Sequence, residues 1–220
     1  MESAAGTLDH EIRGAFDSEH KTAADRLMRG HHPPPDVTPV PFPCWGLSFQ
    51  APVEDPRALA ETLLEWRNDE RWLILGGPAA VSDTQLWTAW LGVASRHAKD
   101  TMRSHAIGAE FIRLIAGTHQ IRIGFERAGL VAGDETAWLV HLPGFVEGAV
   151  ESIVWPELDR VALDAEADRL MRVLGAELLP HNPMPSAMTI ARLDLDLDSK
   201  SDFAAIEAAA LAHVALADLS

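Results

Sequence analysis

Residues 104–130, SHAIGAEFIRLIAGTHQIRIGFERAGL, decide how the chain is read. Ser104 can cap a helix in which Ile107, Phe111, Leu114 and Ile115 fall at i, i+4, i+7 and i+8. That spacing lines one face of a 3.6-residue period and marks a core-facing stripe. Gly117 breaks this helix, and Thr118 caps a second, shorter one with Ile121, Phe125 and Ala128 turned inward; Gly129 ends it.

Working outward, strand-like and helix-like segments alternate. Upstream, Trp45 to Phe49 (WGLSF) alternates between prolines and reads as a strand, and Trp72 to Leu75 (WLIL) reads as a short buried strand stopped by Gly76-Gly77-Pro78. Asp55-Pro56 can start a helix with Leu59, Leu63 and Trp66 on its apolar face, and Ser82 can cap another in which Leu86, Trp90 and Val93 share a face. Downstream, Thr136 to Leu142 and Glu151 to Trp155 read as strands, Asp164 to Leu174 as a helix ended by Gly175, and MTIARLDLD (188–196) as a final strand. Ser199 to Leu219 reads as the last helix. This interleaving predicts an α/β (α+β) class, with a single mixed sheet packed with helices. Residues 1–43 read as an appendage: a weakly periodic N-terminal helical arm anchored by Ile12, Phe16, Leu27 and Met28, then the linker HHPPPDVTPVPFP, whose prolines favour an extended form. The body is expected over residues 44–220.

Charge is unevenly distributed. The 220-residue chain carries a formal net charge of -15, which by itself opposes a polyanionic partner. From Arg96 to Arg127, however, six basic residues (Arg96, Lys99, Arg103, Arg113, Arg122, Arg127) face three acidic ones (Asp100, Glu110, Glu126), giving +3 and leaving -18 for the rest. A basic island in an acidic chain is a candidate nucleic-acid footprint, and solvated helix faces would produce the same pattern. Cys44 is the one cysteine, so no internal disulfide forms. The opening MESAAGTLDHEIRG has no basic and then apolar run of a signal peptide. Ala204 to Leu219 is interrupted by Glu207, His213 and Asp218 and is too short to span a bilayer. A cytoplasmic protein with no membrane partner is expected.

Motifs for catalysis and cofactors are missing. The sequence has no dinucleotide fingerprint, phosphate loop, C-x-x-C or H-E-x-x-H pattern, so neither a cofactor nor a dedicated zinc site is expected. His31-His32 sits beside prolines and reads as a solvated pair. Asp194, Asp196 and Asp198 begin like a calcium loop, but Ser199 stands at the sixth position and Ala205 at the twelfth, where glycine and glutamate are needed. They read instead as a solvent-facing strand edge followed by negative charge at a helix start. His97, His105 and His119 lack a paired carboxylate or nucleophile that would make them acid/base groups.

The stretch Glu110 to Leu130 resembles a known family, the small KEOPS subunit whose human counterpart is the PRPK-binding protein TPRKB, in its archaeal type. The likeness rests on Glu110 entering a helix, the Ala116-Gly117 break, Gln120-Ile121 opening an amphipathic helix, and Gly129-Leu130 closing it. The helix Leu86 to Lys99 and the terminal AHVALADL (212–219) are similar in kind and position, so the resemblance covers about residues 45–220. His119 stands where the family usually has arginine. The resemblance implies a subunit that is not an enzyme: it binds the small atypical kinase of KEOPS and the single-stranded CCA 3′ end of tRNA, supporting threonylcarbamoyladenosine formation. On that expectation Lys99, Arg103, Arg113, His119, Gln120, Arg122 and Arg127 include the RNA contacts, coinciding with the basic island. Some of these, above all Arg113 and Arg127, could instead pair with Glu110 and Glu126 or snorkel over the core. The last helix is apolar almost all round, so it must be buried on more than one side. One face is expected on the core and another on the kinase, with Phe203, Ile206, Ala210, Leu211, Val214 and Leu216 as the expected partner-binding residues. A protein-interaction module that never touches RNA fits the same acidic body.

Overall fold

The computed structural model describes residues 40–145 and 156–217. The expected N-terminal helix and the expected strand at Glu151 to Trp155 lie outside these residues. Among the described residues are four strands, β1 (Cys44–Phe49), β2 (Trp72–Gly76), β3 (Thr136–His141) and β4 (Ala176–Leu179), and seven helices. The helices are α1 (Pro56–Trp66), α2 (Asp83–Ala98), α3 (Ile107–Ile115), α4 (Ile121–Ala128), α5 (Arg160–Val173), α6 (Ala187–Leu193) and α7 (Phe203–Leu216).

The strands form one sheet in the order β2-β3-β1-β4. The expected class and single sheet hold, but every pairing is antiparallel, so the sheet is not mixed. Sequence-adjacent strands do not pair. β3 is inserted between β1 and β2, which run parallel to each other and are joined through α1; β1 is likewise inserted between β3 and β4, joined through α5. These interleaved split β-α-β units make the ferredoxin-like topology, with α2, α3 and α4 added between β2 and β3. The topology does not specify an activity.

Side-chain alternation divides the sheet between two cores. Trp45, Leu47, Trp72, Ile74, Ala137 and Leu139 pack against Leu63 of α1 and Ala167, Leu170 and Met171 of α5. Leu73, Leu75, Trp138 and Val140 point the other way, into a larger cluster with Trp90, Phe111, Leu114, Ile190, Ile206 and Val214. Both faces are therefore covered, which is why β2 and β3 read as continuous apolar runs. Trp45 Nε1 donates to Asp164 Oδ1 at 2.9 Å, linking β1 to α5.

Helix starts follow local chemistry. Asp55 Oδ1 accepts from the Arg57 and Ala58 amides at 3.0 Å each, with Pro56 in the first turn of α1. Ser82 Oγ accepts from the Gln85 amide at 3.1 Å and caps α2. α3 and α4 start two residues later than Ser104 and Thr118 suggest. Ser104 Oγ accepts from the Ala106 amide and Thr118 Oγ1 from the Gln120 amide, so each hydroxyl organises the turn before its helix.

Two sequence readings are corrected. Residues 188–196 contain no strand. Ser186 and Thr189 form a capping box that starts α6, which carries Thr189, Ile190 and Leu193 into the core and ends at Asp194 with φ 56°. The fourth strand is instead AELL, directly after α5, where β1 supplies its partner. The compact body also begins earlier than residue 44, at Pro41. Phe42 is buried, its ring lies 4.7 Å from that of Trp87, and its amide donates to Asp83 Oδ1 at 3.0 Å.

Candidate nucleic-acid interface

The basic island lies around α3, and its interior is an ion pair. Glu110 and Arg113, one turn apart, are both fully buried. Arg113 Nη2 donates to Glu110 Oε1 at 2.5 Å and Arg113 Nε to Glu110 Oε2 at 3.2 Å. Glu110 Oε2 also accepts from the Arg103 and Ser104 amides at 3.2 and 3.1 Å. Arg113 Nη1 donates to the Thr118 carbonyl at 2.9 Å. The pair thus ties the loop before α3 to the turn after it, satisfying polar groups that burial would otherwise leave unmade. Arg113, expected among the RNA contacts, is therefore sealed from solvent and cannot itself reach RNA. The cause is tertiary, because α3 is enclosed on its polar side as well.

Lys99 and Arg103 come together at one end of this unit. With Ser95, Arg96 and Thr101 they line an open cavity of about 480 Å³ at the C-terminus of α2, with no carboxylate among the lining residues. Arg96 Nη1 donates to the Gly92 carbonyl at 2.9 Å, and its Nε lies 3.8 Å from Glu110 Oε1. Cations here also offset the negative end of the α2 dipole. A site with this lining suits an anion.

The turn after α3 and the start of α4 form the other end. Gly117 adopts φ 61°, and a Cβ there would fall 2.5 Å from His213 Nδ1 of α7. His119, Gln120 and Arg122 are exposed, and Arg122 pairs with Glu126 along the helix surface. Arg127 turns away to Asp194 at the end of α6, so it does not join the others. The expected inward face of α4 holds for Ala128, which is buried, and is corrected for Ile121 and Phe125, which are 36% and 47% exposed; Gly124 takes the position against α3 instead. A Cβ on Gly124 would lie 3.1 Å from Arg113 Cα, so the helices approach too closely for large residues between them. Small residues four apart in the sequence were the signal that could have shown this.

α7 divides differently from expectation. Ile206, Ala210 and Val214, at i, i+4 and i+8, are buried against α2 and α3 and are core residues with no partner-facing surface. Phe203 and Leu216 are 59% and 52% exposed, and Ala204, Ala208, Ala212 and Ala215 are exposed with them; Leu211 is half-buried. The helix thus has one core stripe and an apolar outer face.

Three carboxylates of the acidic run are engaged within the chain. Asp194 pairs with Arg127, Asp198 Oδ1 accepts from the Lys200 amide at 2.8 Å, and Asp202 caps α7 by accepting from the Ala205 amide. No group of three or more metal-ligating side chains occurs among the described residues. No described helix is long and apolar enough to cross a membrane.

The sequence reading also passed over His141. It is buried on β3, where its Nε2 lies 3.1 Å from Asp69 Oδ2 and its ring lies 4.8 Å from that of Trp72. Burial pushes its pKa down, against the opposing pull of Asp69. Burial pushes Asp69 up, but hydrogen bonds from the Arg71 amide and His141 leave it below the usual carboxylate value. Neither a cysteine nor a serine lines the cavity of about 200 Å³ beside His141.

No family model matches the chain, and no curated protein matches it.

Proposed function

We propose that this chain is a non-catalytic recruiting subunit. It holds the single-stranded CCA 3′ end of tRNA on the surface around α3 and binds the small atypical kinase of KEOPS through the outer face of α7, in support of threonylcarbamoyladenosine formation. One observation carries the reading: cations gather at one end of α3 and exposed apolar, aromatic and basic side chains at the other. Nine helical residues separate the ends by about 13 Å, which matches about four stacked nucleotides at ~3.4 Å each. Single-stranded RNA is held by phosphate neutralisation together with surfaces for unstacked bases. The resemblance of Glu110 to Leu130 to the KEOPS subunit supports the same assignment.

A second reading has its own support. Arg122 and Arg127 are paired with carboxylates, and the chain is strongly acidic, which favours a module that contacts only protein. Binding to tRNA with and without its CCA end, at two salt concentrations, separates the two. The proposal requires a CCA-dependent signal that weakens with salt. Equal binding to tRNA lacking CCA, or no binding to either, supports the protein-only module.

A further inference from the structure

Two large side chains of α4 are left partly in solvent beside its contact with α3, where the close approach admits only a glycine. Gly124 makes the contact and Ala128 is buried, and Ile121 and Phe125, one turn apart, form a partly exposed ridge along the edge of that contact. Such a ridge leaves an aromatic face half in solvent. Phenylalanine has no polar tip, so its partner must use the ring face or edge. The surrounding groups define that partner further: His119 and Gln120 precede the ridge, Arg122 lies beside it and pairs with Glu126, and the Arg96, Lys99 and Arg103 cavity stands at the far end of α3. A flat apolar group attached to a negatively charged backbone satisfies both features.

The geometry points to Phe125, backed by Ile121, as a stacking platform for one unpaired base of a single strand whose phosphates lie against Arg96, Lys99 and Arg103. The assignment rests on the RNA-recruiting reading above. It adds a division of labour. Stacking on Phe125 involves no charge and leaves the salt dependence untouched, whereas the cavity releases counterions and sets it. The buried Glu110–Arg113 pair keeps the two parts at a constant separation.

The test uses the full chain and a short single-stranded RNA ending in CCA, titrated at several salt concentrations. F125L should weaken binding roughly 5- to 140-fold, corresponding to ~1–3 kcal/mol of stacking at ~1.4 kcal/mol per tenfold. Its slope of log affinity against log salt should match the wild type. F125W should bind at least as tightly as wild type. The double variant K99Q/R103Q should flatten the slope by about 1.4, at ~0.7 per lost phosphate contact on a single strand. If F125L binds like wild type while K99Q/R103Q is weakened, the stacking platform is overturned and the recruiting reading stands. The platform is also overturned if F125L and F125W lose affinity equally, since an aromatic ring would then have no special role. If wild type does not bind, or K99Q/R103Q matches it in affinity and slope, the recruiting reading fails and this inference with it.

Discussion

Replacing Glu110 with Gln keeps the shape of the side chain and removes its charge from the centre of the candidate interface. Glu110 Oε1 accepts from Arg113 Nη2, and Oε2 accepts from Arg113 Nε and the Arg103 and Ser104 amides. Donors therefore approach both oxygens. In one amide orientation the new NH2 meets Arg113 Nη2; in the other it meets Nε and two backbone amides. Either way a donor faces donors, and the Arg113 charge stays buried without its counter-charge. Breaking a buried pair from one side costs about 3–5 kcal/mol. For a body of this size, at ~2–4 °C per kcal/mol, Tm should fall by roughly 6–20 °C. Thermal and urea unfolding would measure the loss. A double-mutant cycle with Glu110→Leu and Arg113→Met should give a coupling of about 0.5–3 kcal/mol, because the double variant leaves no buried charge unpaired. A Glu110→Gln loss below ~1 kcal/mol, or a coupling near zero, would refute the account of this pair as the strut of the site.

Three further outcomes follow from the packing. Gly117→Ala should cost about 1–2 kcal/mol for the left-handed backbone, with a steric penalty added because its Cβ meets His213; adding His213→Ala should recover part of the steric penalty, since the Cβ of residue 213 stays 2.9 Å away, and none of the backbone cost, as read from urea midpoints. On α7, Ile206→Ala should destabilise by about 2–5 kcal/mol, whereas Leu216→Ala should stay within about 0.5 kcal/mol yet weaken capture of the purified KEOPS kinase, so a pull-down and a melt together separate core from docking face. Burial holds His141 and His213 below the ordinary histidine pKa, so the unfolded chain takes up protons first as pH falls below ~6.5. Stability should therefore be fully present above that pH and decline as pH falls toward the folded values, at up to ~1.4 kcal/mol per pH unit for each histidine. His141→Gln should reduce this decline in urea titrations at pH 7.5 and 5.5.

Local signals were legible wherever a short-range interaction decided the structure. Asp55-Pro56 and Ser82 begin helices because a side-chain oxygen reaches an amide two or three residues on, which a few residues of sequence reveal. The Phe111, Leu114 and Ile115 stripe of α3 is buried as its spacing requires. Readings failed where another element made the choice. MTIARLDLD alternates like a strand, yet the Ser186–Thr189 capping box and the core contact of Ile190 and Leu193 favour a helix. AELL has too little pattern to mark a strand until β1 supplies its hydrogen bonds. Ile121 and Phe125 look inward by hydrophobicity, but the close approach of α4 to α3 admits only Gly124 at its nearest point and leaves those two partly exposed beside it.

The candidate site divides along the same line. Sequence alone determined that positive charge concentrates between Arg96 and Arg127, since composition along a chain does not depend on how it folds. Only the tertiary structure decided which of those charges face solvent. Arg113 is sealed inside with Glu110, Arg127 is drawn to Asp194, and Lys99 and Arg103 meet Arg96 at a cavity. Ion pairing and burial depend on distances between residues far apart in sequence. Those distances are set when the sheet brings its two cores together and α3 is enclosed.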